Sequence, residues 1–256
     1  MSYLLSMLLA VATPAPAPDH GVDAVTEDRG WTGTGELGMA MARGNTHSES
    51  LNTRFVFQRE TEHRKHQLRA SGLRTRSEVT AVYEEDREPE TRAQITANRF
   101  DVGASTSIKF DPRRYLVGTV RYEKDDFSSY DYQGTASLGY GHHFIRNDTT
   151  MLLTEIGPGY RRADTRSRGV ENGPLLRGLF DFSTRLTDTT TLVNTLLVEA
   201  GDDNTYAQND FGVSVAMNAS LALKAGFQAR HNTEASDADI SRTDRLTTVN
   251  LVYTFR

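Results

Sequence analysis

The stretch Arg99–Phe110, RFDVGASTSIKF, alternates apolar and polar side chains at every second position. Neighbouring side chains of a β-strand point to opposite faces, so Phe100 and Ile108 share one face while Asp101 and Lys109 share the other. No helical period fits this pattern. The stretch therefore predicts a strand with one apolar face and one polar, charged face.

The same period-two alternation recurs from Trp31 to the end of the chain, interrupted by turn residues. The predicted strands are Trp31–Ala42, Ser48–Glu60, Lys65–Glu78, Gln94–Phe110, Tyr115–Lys124, Asp131–Ile145, Met151–Ala163, Leu175–Leu186, Thr191–Ala200, Asn209–Leu223, Ala225–Glu234 and Thr243–Phe255. Most are longer than the roughly 9–11 residues that a tilted strand needs to cross a bilayer. The pattern thus predicts about twelve membrane-crossing strands.

The links between these strands alternate in length. The short ones are Thr61–Arg64, Asp111–Arg114, Arg146–Thr150, Thr187–Thr190 and a tight turn at Lys224. The long ones are Val79–Ala93, Asp125–Tyr130, Asp164–Pro174, Gly201–Gln208 and Ala235–Arg242, with Arg43–His47 as a short exception. Short turns at one end and long loops at the other are typical of outer-membrane proteins. We therefore predict an all-β fold, a closed antiparallel up-and-down transmembrane β-barrel formed by residues 31–256.

Composition limits the class of protein further. The chain has 256 residues, a formal net charge of −5 and no cysteine, which removes disulfides and thiolate chemistry. It contains no apolar run of about 18 residues, the length that a transmembrane helix needs. The acidic balance argues against a nucleic-acid partner, and we expect none.

The first thirty residues indicate a targeting segment followed by a linker. Leu4–Ala12 is an apolar run that ends in small residues suited to signal cleavage, although no basic residue precedes it. Residues 1–12 therefore predict an atypical signal peptide, with a short buried helix as the alternative. Thr13–Pro18, TPAPAP, predicts an extended segment, and residues 13–30 together predict a Pro/Ala-rich and polar periplasmic linker.

The chain's end carries a second targeting feature. Val249, Leu251, Tyr253 and Phe255 alternate along one face of the last predicted strand. An apolar strand ending in an aromatic residue is similar to the signal that the barrel-assembly machinery reads, although here Arg256 follows the phenylalanine. We expect these four residues to act as the assembly signal. The alternative is an ordinary last strand of a soluble sheet.

The chain resembles the YdiY-like family, described as salt-induced outer-membrane proteins and otherwise as a domain of unknown function. The matching positions are Trp31, Gly33, Leu37-Gly38, Arg43-Gly44-Asn45-Thr46, Ser48, Leu51, Tyr115-Leu116, Arg121-Tyr122, Gly139-Tyr140-Gly141, Glu155 and Gly157-Pro158-Gly159-Tyr160. The resemblance covers residues 31–255. It implies a barrel in the outer membrane and supplies no catalytic residue.

Charged residues fall on the polar face of the predicted strands, which must line the inside of a barrel. The acidic ones are Glu36, Asp101, Glu123, Glu155, Asp181 and Glu199, and the basic ones are Arg54, Arg69, Arg99, Lys109, Arg121, Arg161, Arg177, Arg185, Lys224 and Arg230. Charges inside a barrel must pair or be hydrated. Two interpretations stay open: a narrow aqueous pathway whose slight basic excess favours anions, and a self-neutralising core that fills the barrel.

The spacing of these charges predicts particular pairs. They are Arg99 with Asp101, Arg121 with Glu123, and Asp181 with its flanking Arg177 and Arg185. Antiparallel neighbours bring such side chains within roughly 5 Å of one another. We therefore expect a connected ion-pair network in which the loss of one partner costs about 1–4 kcal/mol.

Carboxylates also cluster on the side of the long links. They lie in Val79–Ala93 and at Asp125, Asp126, Asp202, Asp203, Asp237 and Asp239. Hard carboxylate oxygens suit Mg²⁺ and Ca²⁺, so these residues could share the cations that bridge lipopolysaccharide. The alternative, which we favour, is a set of solvated loops.

No motif points to catalysis. G-x-S-x-G, H-E-x-x-H and a phosphate-binding loop are all absent, and the adjacent His142 and His143 would point to opposite faces. We therefore expect no enzyme, no cofactor and no metal site. The sequence favours an integral outer-membrane barrel that forms a narrow channel for small solutes or ions. A closed structural or stress-response barrel is the alternative, and an outer-membrane hydrolase a distant third. The expected partners are outer-membrane lipid, lipopolysaccharide and the barrel-assembly machinery.

Overall fold

The computed structural model describes residues 30–42, 48–81, 90–128, 130–166, 168–202, 204–233 and 242–255. Strands make up almost all of this part of the chain. They are β1 (Thr32–Ala42), β2 (Ser48–Glu60), β3 (Arg64–Ala81), β4 (Glu90–Lys109), β5 (Arg114–Asp125), β6 (Tyr130–Arg146), β7 (Thr150–Thr165), β8 (Gly169–Arg185), β9 (Thr190–Gly201), β10 (Thr205–Ala216), β11 (Leu221–Asn232) and β12 (Thr243–Phe255). No helix long and apolar enough to cross a membrane occurs among the described residues.

The strands form one closed antiparallel barrel. Each strand pairs with its neighbour in sequence, and β1 pairs with β12 to complete the ring. The predicted fold, an up-and-down barrel of about twelve strands, is confirmed. We call the end that holds the links 61–63, 110–113, 147–149, 186–189 and 217–220 the turn end, and the opposite end the loop end. Thr32 and Phe255, the outer limits of the barrel, both lie at the turn end.

The outer face of the barrel is apolar and exposed. Leu138 is 72% exposed, and Phe110 and Val249 are each 60% exposed. All three lie within or directly beside strands that are hydrogen-bonded to a neighbouring strand on both sides. An apolar surface of this extent is unfavourable in water and is what a lipid-facing barrel requires. The alternation read from the sequence thus directs apolar side chains outward and polar ones inward.

Aromatic rings cover the glycines where β1 joins its neighbours. A side chain at Gly33 would lie 2.6 Å from the ring of Phe57, and one at Gly35 would lie 3.3 Å from Phe55. The rings of Phe57 and Phe255 approach each other to 6.2 Å across this seam. Glycine on β1 therefore makes room for rings from β2 and β12, which shield the closing strand pair on the lipid side.

The pairing of β6 with β7 is interrupted at Pro158. The pairs Ser137–Gly159 and Tyr140–Ile156 flank a gap in the ladder, because proline has no N–H to donate. The two backbones approach closely here: a Cβ at Gly157 would lie 2.0 Å from the carbonyl oxygen of Leu138. Glycine at this position is therefore a packing requirement.

One predicted boundary is wrong. The turn between β10 and β11 lies at residues 217–220, and Lys224 is an inner residue of β11. Asn218 makes the turn, because its side-chain oxygen accepts hydrogen bonds from the backbone N–H groups of Ser220 and Leu221, both at 2.9 Å. The predicted strands Asn209–Leu223 and Ala225–Glu234 therefore lie too far toward the C-terminus when compared with β10 and β11.

Two predicted long links, Asp164–Pro174 and Gly201–Gln208, are mostly strand. Polar residues continue the β7–β8 ladder as far as the pair Thr165–Gly169, and Gly169 turns the chain at a φ of 76°, which favours glycine. The longest link shortens in the same way, because β3 and β4 extend to Ala81 and Glu90. The difference in length between the loop-end links and the turn-end links is thus smaller than predicted.

A bulge changes the start of β6. The register shifts between Tyr130 and Tyr132, so Tyr130 takes the inner position and is buried. Asp131, which alternates in phase with the inner residue Gln133 in the sequence, is instead exposed and pairs with Arg166 at 3.2 Å. The predicted signal peptide 1–12 and all of the predicted linker 13–30 except Gly30 lie outside the described residues, as does the link 43–47.

Replacing Gly157 with alanine should destabilise the barrel. The new Cβ would meet backbone atoms of β6 that cannot rotate away, so β6 and β7 must separate, at a cost of about 1–3 kcal/mol in the free energy of unfolding. The midpoint of urea unfolding, read from heat-modifiable mobility on gels, measures this. Gly178→Ala is the matched control, because no atom lies within 4 Å of its added Cβ. Equal midpoints for both variants would contradict the packing argument.

Candidate functional site

The lumen is the candidate functional site. The structure places the charged residues predicted to face inward on the inner face of the barrel, from Glu36 on β1 to Arg230 on β11. Their contacts divide them into a cluster near the loop end, a group in the middle of the lumen and pairs near the turn end.

Arg121 of β5 is the centre of the loop-end cluster, which we define as Arg121, Glu123, Asp125, Arg161, Glu199 and Arg230. The Arg121 Nη1 donates to Glu123 Oε2 at 2.8 Å, and its Nη2 donates to Glu199 Oε2 at 2.7 Å. Glu199 lies on β9, so this guanidinium bridges two separated strands. Both carboxylates are almost fully buried, at 2% and 1% exposure.

Arg230 and Arg161 complete the loop-end cluster. Arg230, on β11, donates to Glu123 across the lumen and to Asp125 Oδ2 at 3.2 Å. Arg161, on β7, donates to the backbone oxygens of Glu199 at 3.0 Å and of Asn204 at 2.9 Å. Each carboxylate of the cluster therefore has a guanidinium partner, as buried charges require.

Two tyrosines hold the loop-end cluster in place. The hydroxyl of Tyr130 donates to Glu123 at 2.7 Å, and the hydroxyl of Tyr206 accepts from Arg230 Nε at 2.9 Å. The guanidiniums of Arg121 and Arg230 lie 4.8 Å and 5.3 Å from the centre of the Tyr206 ring. The cluster is thus a rigid side-chain assembly that fills the lumen between β5 and β11.

A second group lies in the middle of the lumen. Arg54 of β2 pairs with Asp210 of β10 at 3.2 Å, and Gln228 donates to the same carboxylate at 2.7 Å. Arg99 reaches across from β4 and donates to Gln228 at 2.8 Å. Gln208 links the two levels, because it accepts from Tyr206 and donates to Asp210.

Arg69 is the one exposed residue among the arginines predicted to face inward. Its partners in the β-ladder are Val56 and Gly103, which places it on the inner face, yet its side chain is exposed. It makes no direct ion pair or hydrogen bond with the described residues, although Asp101, Asp181 and Asp210 attract it through space. A positive charge inside the barrel is therefore accessible to solvent.

Smaller pairs lie nearer the turn end. Arg177 donates to Glu155 at 2.8 Å, and the hydroxyl of Tyr115 donates to the same carboxylate at 2.9 Å. The Tyr115 ring lies against β6 at Gly141, where a Cβ would come within 2.1 Å of it. Lys224 donates to Glu36 at 2.8 Å on the opposite wall.

Beside the Glu36–Lys224 pair, the lumen widens into a vestibule that opens at the turn end. This cavity has a volume of about 640 Å³. Small neutral side chains line it, among them Thr34, Val193 and Ser214. The same ion pair also borders a smaller cavity of about 70 Å³ in the middle of the lumen. Glu36 and Lys224 thus stand between the two spaces.

Several predicted pairs do not form. Arg99 bonds to Gln228, while Asp101 accepts from Ser71, which lies directly opposite it on β3. Asp181 accepts from Thr195, because Arg177 turns instead to Glu155 on the neighbouring strand. Arg185 makes no ion pair with a described residue. Within the predicted pairs, Arg121 does contact Glu123.

Some lumen residues were missed by the sequence interpretation. Asp125, expected among exposed loop carboxylates, is only 7% exposed and belongs to the loop-end cluster. Asp210 fell at the start of a predicted strand, and its alternation with Phe211 could have placed it inside. Tyr206 lay within a predicted loop, so no pattern marked it.

Other predicted sites lie apart from the lumen. Val249, Leu251, Tyr253 and Phe255 all point outward toward lipid, and their role as an assembly signal stays a prediction. Asp126 and Asp202 lie at the loop end, and Asp203, Asp237 and Asp239 lie outside the described residues. No cluster of three metal-binding side chains occurs in the part of the chain that the structure describes.

Comparison with known proteins identifies the family. The family model described as "Protein of unknown function, DUF481" matches residues 35–255, nearly the whole barrel. The chain belongs to the DUF481 family. A curated relative, the uncharacterized protein YdiY of Escherichia coli K12, is 24% identical over 158 residues. That match spans 62% of this DUF481 chain and 62% of the length of YdiY.

Solved structures with the same fold are outer-membrane barrels. The NanC porin aligns with a TM-score of 0.50 at 9% identity, over 89% of this DUF481 chain and all of the porin. The translocator domain of the autotransporter NalP from Neisseria meningitidis aligns with a TM-score of 0.44 at 13% identity, over 88% of this chain and 87% of that one. At these identities the NanC likeness is one of fold alone.

Removing the Arg121 guanidinium should weaken the barrel strongly. Arg121→Met leaves Glu199 with a single, longer ion pair, to Arg161 at 3.8 Å. The free energy of unfolding should fall by about 2–4 kcal/mol, because a buried carboxylate loses its closest counter-charge. Urea unfolding midpoints of the two proteins measure the loss.

Lys124→Met is the matched control for this change. Lys124 lies on the same strand and faces outward, and its ion pair with a described residue is a long contact of 3.9 Å with Asp126. Its loss should change the midpoint little, as for other exposed pairs. Similar effects for both variants would mean that Arg121 is as well hydrated as a surface charge.

Proposed function

We propose that this DUF481 protein is an integral outer-membrane barrel that forms a narrow, water-filled channel for small ions and solutes, with a weak preference for anions. The observation that carries the proposal is Arg69. This arginine points into the lumen, is exposed there and has no direct ion pair among the described residues. An exposed positive charge without a direct ion pair inside a barrel acts on whatever enters it.

The cavities support a path through the barrel. It would begin at the turn-end vestibule, pass the Glu36–Lys224 pair and reach the mid-lumen beside Arg54, which interacts electrostatically with Arg69. From there the β2–β3 wall continues toward the loop end with small side chains, among them Ser50, hydrogen-bonded to Thr75 at 3.1 Å. The bulky loop-end cluster occupies the opposite side, between β5 and β11.

Lumen charge supports a preference that is weak. The inner face holds more arginine and lysine than acid among the residues predicted from the sequence. Asp125 and Asp210 join the acidic set and reduce that excess. Arginines with direct ion pairs contribute little field outside their pairs, so the exposed Arg69, together with Arg185 nearer the turn end, would set the selectivity.

A closed barrel is the second candidate, and the loop-end cluster favours it. Glu123, Gln133, Glu199 and Tyr206 are each at most 2% exposed, so this part of the lumen holds no continuous water. In that case the ion pairs would be structural, and the protein would act as a stable outer-membrane scaffold. Under both candidates we propose export to the periplasm, lipid and lipopolysaccharide as surroundings, and no catalytic role.

Single-channel recording distinguishes the two candidates. Purified protein in planar bilayers should give stable conductance steps, with a reversal potential in a salt gradient that indicates weak anion preference. Arg69→Glu should move the reversal potential toward cation selectivity, because the charge at the exposed mid-lumen position is inverted. Arg74→Glu, on the outer face of the same strand, should leave it unchanged.

Two results would contradict the channel. Absence of conductance across many insertions of protein that shows heat-modifiable mobility would favour the closed barrel. Conductance with identical selectivity in the Arg69 and Arg74 variants would show that ions pass along a different route.

A further inference from the structure

A pocket at the loop end, separate from the proposed ion path, has the chemistry of a binding site. It lies inside the barrel mouth between β6 and β9 and has a volume of about 180 Å³. Gln133, Arg161, Ala163 and Gly173 line its inner part, and Asp202 lies at its rim. The volume equals that of about six water molecules, room for one small polar molecule.

Two residues that line this pocket each have a buried polar atom without a partner. Gln133 is 1% exposed and Arg161 is 8% exposed, yet Gln133 Oε1 and Arg161 Nε make no hydrogen bond within the described chain. Groups buried in this way cost free energy unless something bonds to them. Gln133 Oε1 is an acceptor and Arg161 Nε is a donor. A hydroxyl group can bond to either atom, because it both donates and accepts hydrogen bonds.

The orientation of Gln133 is fixed by its neighbour. Tyr130 uses its hydroxyl hydrogen on Glu123, so its oxygen can only accept, and the group that donates to it must be Gln133 Nε2, at 3.3 Å. The amide oxygen is therefore the atom left over. A flipped amide would lose this bond and would place its NH₂ group in the unpartnered position instead.

The charges around the pocket favour a neutral ligand. The Arg161 guanidinium is engaged by the backbone oxygens of Glu199 and Asn204, and Glu171 is paired with Arg168 at 2.7 Å. A cation would meet Arg161 at the inner end, and an anion would meet Asp202 at the rim. A hydroxyl-rich neutral molecule avoids both conflicts.

We propose that this pocket binds a small neutral polyhydroxylated molecule, of the size of a single sugar ring, through Gln133 Oε1 and Arg161 Nε. The site is reached from the loop end and does not depend on conduction through the barrel. It therefore goes beyond the proposed channel and holds equally for a closed barrel.

The test measures the binding of D-glucose to the full-length protein in detergent, by titration calorimetry or by ligand-observed NMR. Glucosamine and glucuronate, the same ring with a positive or a negative charge, are the comparison probes. Saturable binding of glucose, stronger than that of either charged sugar, is the expected result. No saturable binding of glucose would mean that ordered water alone fills the pocket, and would overturn the proposal. Preferential binding of a charged sugar would overturn the neutral class.

Two variants locate the binding. Gln133→Leu removes the unpartnered acceptor and should weaken glucose binding at least about tenfold. Gly173→Leu should block the pocket without a clash, because no atom lies within 4 Å of a Cβ built there. Gln67→Leu makes the same chemical change elsewhere on the inner face and should retain binding. Heat-modifiable mobility verifies that each variant is folded, and glucose binding that is unchanged in both pocket variants would contradict the site.

Discussion

The pairing of β1 with β12 is the constraint on which the rest of the molecule depends. In lipid an unpaired strand edge leaves N–H and C=O groups without partners, at a cost of several kcal/mol each. Among the described residues, six pairs from Gly33–Phe255 to Gly38–Asn250 complete the ring. Once the ring is closed, all inward side chains lie in the same confined lumen. Each charged side chain must there form an ion pair or be hydrated.

Alternation in the sequence predicted the barrel because it records this inside–outside division directly. It could not locate the turn at residues 217–220, since a four-residue turn leaves the alternation in phase: Val215, Met217, Leu221 and Leu223 stay in one odd-numbered series. It also predicted β7, β8 and β10 to end too early at the loop end, because the strand ends beyond the membrane carry polar residues on both faces. Hydrogen bonding continues there without an apolar signal.

The lumen contacts were less predictable than the inward direction of the charges. Pairs on one strand or on neighbours, such as Arg121 with Glu123, follow from spacing alone. Arg230 and Glu123 are 107 positions apart and meet across the barrel, which depends on shear and on side-chain length. Asp210 likewise accepts hydrogen bonds from Arg54 and Gln228. Arg99 therefore bonds to the side-chain amide of Gln228, and Asp101 accepts from the hydroxyl of Ser71.

Arg121 and Arg69 show how one residue type serves two physical roles on strands that are two apart. The guanidinium of Arg121 is held between two buried carboxylates, so its field is cancelled locally and its contribution is to stability. The guanidinium of Arg69 is exposed and has no direct ion pair among the described residues, so its field extends into the lumen. Packing decides between the roles. The Tyr206 ring covers the Arg121 guanidinium and Tyr130 bonds to its partner Glu123, whereas Arg69 lies opposite Gly103, which has no side chain.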